Sequence, residues 1–357
     1  QSTISAIFSS NITSNPKRGI KLSDVMNRAW TMASRPVGEP KQENFALDES
    51  PVPTPKHGEL LIRTLFMSLD PYMRGRMRLG PSYATPLQPG EVMTGEVVAR
   101  VEQSKSSHYS VGDIVRSSIG WQEWAAVSDH SVSRVDQSLG PISTAVGVLG
   151  MPGLTAYHGL LDIGQPKAGD TLVVSAASGA VGAVVGQIGK INGCNIIGIA
   201  GSAKKCHYVI NDLGFDTAIN YKTQKVSSEL KRLSPNGVDV YFDNVGGPVL
   251  DAVLENLAPK ARIAICGQIS QYNAPEVPLG PRNISALLRT QSKAEGFLVY
   301  AFERQHEISR ARLAAWIKEG LLKYKEDIVD GFERAPDAFI GLLRGDNFGK
   351  LLIKVSD

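Results

Sequence analysis

The sequence predicts an α/β chain in two parts, a mainly β domain and then a doubly wound parallel sheet, with a C-terminal tail that turns back to the first part. Three observations carry that reading. With 357 residues the chain exceeds what one hydrophobic core usually serves. From Trp30 to about Gly150 short strand-like runs alternate with proline and glycine, whereas after Gly150 strands alternate with helices. A glycine-rich turn stands between the first strand and the first helix of that second part.

Residues 1–26 read as an extension rich in Ser, Asn and Thr, basic at Lys17, Arg18 and Lys21, with Asp24 its only acid. The extension is expected to be an unstructured terminus, an upstream start or a preparative remnant, and the missing initiating Met fits a processed or engineered start. A targeting segment is the alternative, because such segments are also Ser- and Arg-rich and poor in acids. The β domain is placed at 27–149. Glu59-Leu-Leu-Ile-Arg-Thr-Leu-Phe66 and Gly95-Glu-Val-Val-Ala-Arg-Val101 are its clearest strands, and prolines clustered from Pro36 to Pro89 make it irregular and largely antiparallel. The parallel sheet is placed at 150–318. Its strands are expected at Thr171–Ser175, Asn195–Ala200, Thr217–Asn220, Val238–Phe242 and Ala261–Cys266. Helices are expected at Lys204–Leu213, Ser227–Leu233 and Pro248–Leu257, with a long apolar segment through Gly186 to Ile191 after the turn. The tail, 319–357, holds Asp330-Gly331, Pro336 and Gly341 and closes on Leu351-Leu-Ile-Lys-Val355, long enough to add a strand to the first domain.

Composition excludes several classes of function. Hydrophobic residues at 42% and charged residues at 20% describe an ordinary globular protein. A net charge of +3 with no block of like charge gives no reason to propose nucleic acid. No run of 18 apolar residues exists to span a membrane. The cysteines Cys194, Cys206 and Cys266 are odd in number and lack metal-type spacing, which points to a reducing compartment and a cytoplasmic protein.

The chemistry begins at Ser175-Ala-Ala-Ser-Gly179-Ala180-Val181-Gly182. Small residues let backbone approach a pyrophosphate, and the helix that follows offers free N–H groups and a positive dipole. Alone, such a turn is weak evidence, since a ligand-free turn would look the same. Here it follows a strand, opens a helix and heads a series of βα units, the context that a Rossmann-type dinucleotide site requires. After the second strand, Ala200-Gly-Ser-Ala-Lys-Lys-Cys206 has no acid to hold a ribose 2′-hydroxyl, and Lys204 or Lys205 can neutralise a 2′-phosphate. NADP is therefore expected over NAD. The six histidines are scattered, and none pairs with a Cys or carboxylate at ligand spacing. Pro89-Gly90-Glu91-Val92-Met-Thr-Gly95-Glu-Val97 keeps the glycines and glutamate of a Gly-His-Glu-x-x-Gly-x-Val element but lacks the histidine. No metal is expected.

That element and the order of the parts resemble the medium-chain dehydrogenase/reductase superfamily, and narrow to its zinc-free leukotriene dehydrogenase/prostaglandin reductase branch. The resemblance is carried by Met67-Ser-Leu-Asp-Pro-Tyr-Met-Arg74, Val148-Leu-Gly-Met-Pro-Gly-Leu-Thr-Ala-Tyr157 and Gly186-Gln-Ile-Gly-Lys190. It continues with Tyr241-Phe-Asp-Asn-Val-Gly-Gly247, Ile265-Cys-Gly-Gln-Ile-Ser-Gln-Tyr-Asn273 and Gly345-Asp-Asn-Phe-Gly-Lys350. Asn27-Arg-x-Trp30, Ala33-Ser-Arg-Pro-x-Gly-x-Pro40 and Gly159-Leu-Leu-Asp-Ile-Gly-Gln-Pro-Lys167 look most like bacterial NADPH-dependent curcumin reductases. It covers the chain from about Asn27 onward, and the N-terminal extension inherits nothing from it.

The resemblance implies a GroES-like, mainly β domain and a Rossmann domain with NADPH in the cleft between them. It places the pyrophosphate on Gly179, Ala180, Val181 and Gly182, and the 2′-phosphate near Lys205 and Tyr221. The nicotinamide end falls near Asn244, Cys266, Gly267, Ile269, Ser270 and Tyr272, and near Phe297 and Val299 in the stretch to Phe302. Thr155 and Asn347 complete the cleft. Reducing an enone needs a hydride at the β carbon and a donor where enolate charge develops. Tyr272 is the preferred phenol and Tyr72 the next, while Cys266 reads as a small residue near cofactor, not a nucleophile. The expected function is NADPH-dependent 1,4-reduction of enones and enals, in a homodimer joined edge to edge near Phe297-Leu-Val-Tyr300. A quinone reductase is the rival within the class, separable by product analysis. An NADPH-binding sensor or structural protein is the rival outside it, and turnover of any simple enone would dismiss it.

Overall fold

The computed structural model describes residues 25–80, 82–276 and 278–357; the expectation for residues 1–24 lies outside them. The first domain opens with an antiparallel pair, β1 (Met26–Met32) and β2 (Phe45–Pro51). Its centre is β3 (Glu59–Ser68), an apolar, largely buried strand that leads into a short helix, α1 (Tyr72–Arg76). β4 (Val97–Ser104) and β6 (Trp124–Ser128) pair antiparallel with β3, and β5 (Ile114–Ser117) and β7 (Val132–Arg134) extend the sheet beyond β4.

The second domain begins with α2 (Met151–His158), which continues as a wider helical turn over Gly159–Gly164. Then come β8 (Thr171–Ser175), α3 (Gly182–Ile191), β9 (Asn195–Ala200), α4 (Ala203–Asn211), β10 (Thr217–Asn220), α5 (Val226–Leu233), β11 (Val238–Asp243) and α6 (Gly247–Leu254). β12 (Leu257–Ile265), α7 (Ser285–Thr290), β13 (Lys293–Gly296) and α8 (His306–Lys318) complete it. The spatial order is β10-β9-β8-β11-β12-β13, parallel throughout. The chain therefore reverses its winding between β8 and β11, which opens a crevice at their carboxyl ends. Ser175 and Asp243 are the residues that end those two strands.

The tail returns as β14 (Glu326–Asp330), α9 (Ala335–Arg344) and β15 (Lys350–Lys354). β15 lies antiparallel to β3 and parallel to β14, and Gly349 bridges to Gly179 in the other domain. Trp121 centres the first core, stacked on Phe45 at 5.9 Å and edge-on to Phe339 at 5.4 Å between ring centroids. Phe339 belongs to α9, so the tail supplies part of that core. No helix among the described residues is long and apolar enough to cross a membrane.

Two expectations are corrected. The helix expected to reach Leu257 stops at Leu254, and Leu257 already belongs to β12. The β11–β12 ladder jumps from Val238↔Leu257 to Val240↔Arg262, and Lys260 sits inside that irregularity at φ 62°. The outer edge of the parallel sheet is β13, not Phe297–Tyr300: Phe297 packs on Phe242 at 6.1 Å between ring centroids, and Val299 is buried.

α3 sits close to the sheet because its small residues permit it. A methyl group at Gly186 would enter the Phe215 ring, and one at Gly189 would meet Leu172 and Ile196. Gly186→Ala should therefore destabilise the protein by about 1–3 kcal/mol through overpacking. Adding Phe215→Leu should recover part of that loss. Urea melts measure both, and an unshifted Gly186→Ala midpoint would contradict the close approach.

Candidate active site

The glycine-rich turn is tight and open to a ligand. Ala176 takes a left-handed conformation at φ 49°, and Gly179 N–H donates to its carbonyl at 2.9 Å. A side chain at Gly182 would press on that same carbonyl, so only glycine fits there. The N–H groups of Val181 and Gly182 donate to no backbone carbonyl among the described residues, and no side chain caps α3. A pyrophosphate would find free donors and a helix dipole at this point.

At the end of β9, Ser202 caps α4 by accepting from Lys205 N–H at 3.2 Å. A side chain at Gly201 would lie 3.0 Å from the Tyr221 hydroxyl, so glycine lets the Tyr221 ring lie close. Lys205 Nζ donates to Gly345 O of the tail at 2.6 Å. Burial, and then the charge of Lys222, hold its ammonium below the ordinary lysine value. Two cations in one corner favour an anion between them, which suits a 2′-phosphate. Lys204 is exposed instead, with its ammonium 5.8 Å from the centre of the Phe348 ring. Lys222 escaped the sequence reading, although its place just after β10, beside the end of β9, was a usable signal.

The other end of the crevice is knitted by backbone. Asn244 N–H donates to Ser175 Oγ at 2.9 Å and Asn244 Nδ2 to Ser175 O at 2.8 Å. Asp243 O accepts from Cys266 N–H at 2.9 Å and from Gly267 N–H at 3.0 Å. Asn244 O accepts from Ile269 N–H at 3.3 Å, and Val245 O from the Ser270 hydroxyl at 2.6 Å. Asn244, Cys266, Gly267, Ile269 and Ser270 are thus brought together. Burial, with Asp243 adding to it, pushes the Cys266 thiol up to about 12, which makes it a poor nucleophile at neutral pH. Two expected contacts use their polar atoms within the chain: Thr155 Oγ1 donates to Met151 O at 2.7 Å, and Asn347 Nδ2 to Gly349 O at 2.8 Å.

Tyr272 follows this loop, and its oxygen accepts from Gln268 N–H at 3.3 Å, leaving its own proton free to donate. Burial pushes its phenol above the ordinary value. Burial does the same to Tyr72, helped by the charges of Asp70 and Glu96. Both phenols therefore stay protonated at neutral pH. Two further tyrosines belong to the group: Tyr83 lies in the field of both, and Tyr300 in that of Tyr72. No local pattern marks Tyr83, since only the tertiary fold brings it near, whereas Tyr300 lies in the 297–302 stretch expected at the nicotinamide end.

The histidines depart from expectation. His108 and His130 flank Asp129 at 3.0 and 3.6 Å, and His158 meets Asp162 at 2.7 Å and Ser309 at 3.1 Å. Both ring nitrogens of buried His158 are therefore engaged, and its ring stacks on Phe302 at 4.6 Å. Among the described residues no three His, Cys, Asp or Glu side chains form a group able to hold a metal ion.

Two family models match the chain, the N-terminal domain of oxidoreductase over residues 28–135 and zinc-binding dehydrogenase over residues 180–317. NADPH-dependent curcumin reductase of Escherichia coli is 49% identical, over 92% of this chain and 97% of that protein. Prostaglandin reductase 1 of Rattus norvegicus is 43% identical, over 92% of this chain and 99% of that protein. The crystal structure of CurA from Vibrio vulnificus in complex with NADPH superposes with a TM-score of 0.89 at 48% identity, over 92% of this chain and 99% of that one.

The chain belongs to the medium-chain dehydrogenase/reductase superfamily. Within the superfamily it falls in the branch of the curcumin and prostaglandin reductases. In this reductase the segment Phe297–Phe302 is held from beneath. His306 donates from Nε2 to Val299 O at 3.0 Å, and burial holds its ring below the ordinary 6.5. The folded state therefore favours neutral His306, while the unfolded chain takes up the proton first as pH falls. This contribution to stability should be complete above about pH 6.5 and decline below it. His306→Gln should flatten the decline in thermal melts across pH, and an unchanged slope would assign it to other groups.

Proposed function

We propose that this protein uses NADPH to reduce the carbon–carbon double bond of α,β-unsaturated ketones and aldehydes, leaving the carbonyl intact. The observation that carries the reading is Tyr272: a half-buried, protonated phenol whose loop is bonded to Asn244 at the end of the crevice. The activities in the relatives' names support it. When bound, NADPH supplies hydride to the β carbon. Gly179, Ala180, Val181 and Gly182 would receive its pyrophosphate, and Lys205, Lys222 and Tyr221 its 2′-phosphate. Asn244, the loop Cys266–Tyr272 and the segment with Phe297 and Val299 would receive the nicotinamide end. As negative charge gathers on the substrate oxygen, Tyr272 donates a hydrogen bond that strengthens without reorganisation. Tyr72 is the second donor. Diarylheptanoids such as curcumin fall within the substrate class.

The working units are 27–149 with the returning 319–357, and 150–318. The protein is taken to act in the cytoplasm as a homodimer. β13 supports that assembly, because all four of its residues are exposed at the edge of the parallel sheet, and such an edge invites pairing.

NADPH should be used over tenfold more efficiently than NADH, since about 1.4 kcal/mol suffices for tenfold and a phosphate ion pair can exceed it. Lys205→Ala should erode the preference mainly through the NADPH KM. Equal use of the two cofactors by the unmodified protein would refute the assignment.

The reaction is tested with a simple enone and product analysis. The product should be the saturated ketone, and Tyr272→Phe should lower kcat on the order of 10²-fold with NADPH affinity nearly unchanged. An allylic alcohol as main product would end the reading. An unaltered kcat in Tyr272→Phe would move the donor to Tyr72 or to a cofactor hydroxyl.

A further inference from the structure

Arg74 is only 2% exposed, and none of its hydrogen bonds goes to a carboxylate. Among the described residues its Nη1 has no hydrogen-bond partner. Burying a guanidinium without a counter-ion is unfavourable, and an apolar side chain of similar length would serve stability better. What Arg74 does is join three segments. Nε donates to Asn273 Oδ1 at 3.1 Å, and Nη2 donates to Gly38 O at 2.7 Å and more distantly to Pro36 O at 3.4 Å. Gly38 sits at φ 76°, a conformation that side chains rarely adopt.

The sequence positions of those partners give the clasp its meaning. Arg74 stands two residues after Tyr72 on α1, and Asn273 directly follows Tyr272. One planar group therefore spans the two domains at the segments that carry both phenols, with the loop at Pro36–Gly38 as a third anchor. Three sequence motifs, 33–40, 67–74 and 265–273, meet at this one side chain. A guanidinium holds its donors in a rigid fork, whereas an ammonium is a single point with rotating donors, so lysine does not reproduce the arrangement.

We propose that Arg74 is a positioning residue for the reduction: by clasping Asn273 and the 36–38 loop, it sets the separation of the Tyr72 and Tyr272 phenols across the domain boundary. The proposal rests on the reading of those phenols as hydrogen-bond donors to substrate. Arg74 itself is sealed from the cleft and acts only through them.

Asn273→Leu keeps the branched shape and removes the acceptor, in a half-buried loop where folding should survive. Hydrogen exchange should then speed up in the peptides covering 70–78 and 268–276 together. The kcat for a simple enone should fall on the order of tenfold or more, as small misplacements of catalytic groups do. The NADPH dissociation constant, read by nucleotide fluorescence, should move less than about twofold, because cofactor binding is not what the clasp sets. Asn273→Asp retains an acceptor and should keep kcat near that of the unmodified protein. Arg74→Lys should resemble Asn273→Leu, and combining the two should be no worse than either. Unchanged exchange in either peptide overturns the clasp. So does faster exchange with unaltered kcat, or a loss in which kcat, NADPH affinity and Tm fall together. If the unmodified protein turns over no enone, the functional reading fails instead, and the exchange measurement still decides whether Arg74 ties the two segments.

Discussion

Lys350 carries its ammonium into the interior, where it donates to Asp70 Oδ1 at 2.7 Å and to Leu69 O at 2.8 Å. The residue before it, Gly349, donates to Ser178 O at 3.2 Å. Within two residues, then, the returning strand holds the glycine-rich turn of one domain and the segment that leads into Tyr72 of the other. A buried ion pair adds little net stability, because desolvation offsets the attraction, but removing one partner costs about 3–5 kcal/mol. That asymmetry makes the pair a register mark for β15. A slip of one residue against β3 would turn Lys350 to the opposite face and leave Asp70 without its cation.

The rest of the cleft follows the same logic of groups fixed before a substrate arrives. Asp243 accepts through Oδ1 from the Tyr241 hydroxyl at 2.8 Å, from Val245 N–H at 3.0 Å and from Gly246 N–H at 2.8 Å. Those bonds shape the turn on which Asn244 sits, and Asn244 in turn receives the loop of Ile269. Gly267 has no side chain because a Cβ there would lie 3.2 Å from the Tyr272 oxygen. Burial raises the phenols of Tyr72 and Tyr272 above their ordinary value, so both hold their protons at neutral pH. Preorganised donors in a water-poor cleft are worth more than the same donors in solvent.

How much of this was legible in the sequence depends on the range of the interaction. β8, β9 and β10 fall on the residues expected, because short apolar runs bounded by turn residues define buried parallel strands locally. The end of α6 did not, since Leu257 looks like the last apolar residue of a helix until the bulge around Lys260 shows it starting a strand. The edge strand was misplaced for a related reason. Phe297 and Val299 read as an apolar edge, whereas the apolar residues turn inward and the exposed β13 is Lys-Ala-Glu-Gly. In the site, the glycine turn and the Tyr272 loop were legible as motifs. Tyr83 was not, because it acquires its neighbours only through the tertiary fold, and Lys222 was passed over although it directly follows β10. His158 and Asp162, four residues apart, were missed because no helix was expected there, although α2 and its continuation bring them face to face.

The tail also explains why the two ends of the cleft are not independent. Lys205 Nζ holds Gly345 O, and Phe348 packs edge-on to Tyr208 at 4.8 Å with the Lys325 ammonium 4.3 Å from its ring centre. Two residues later Lys350 is on Asp70. The stretch 345–350 therefore runs from the corner of the basic residues, past the glycine-rich turn, to the base of the Tyr72 helix, with an anchor at each stage. Its glycines are needed for that path: Gly345 ends α9 at φ 79°, and Gly349, at φ 83°, passes so near Lys325 that a side chain would meet its carbonyl. A chain so closely pinned cannot shift at one anchor without straining the next, because packed contacts of this kind are short-ranged and steep. The stretch 345–350 thus links the corner of Lys205 and Lys222 to the segment that leads into the Tyr72 helix through consecutive contacts.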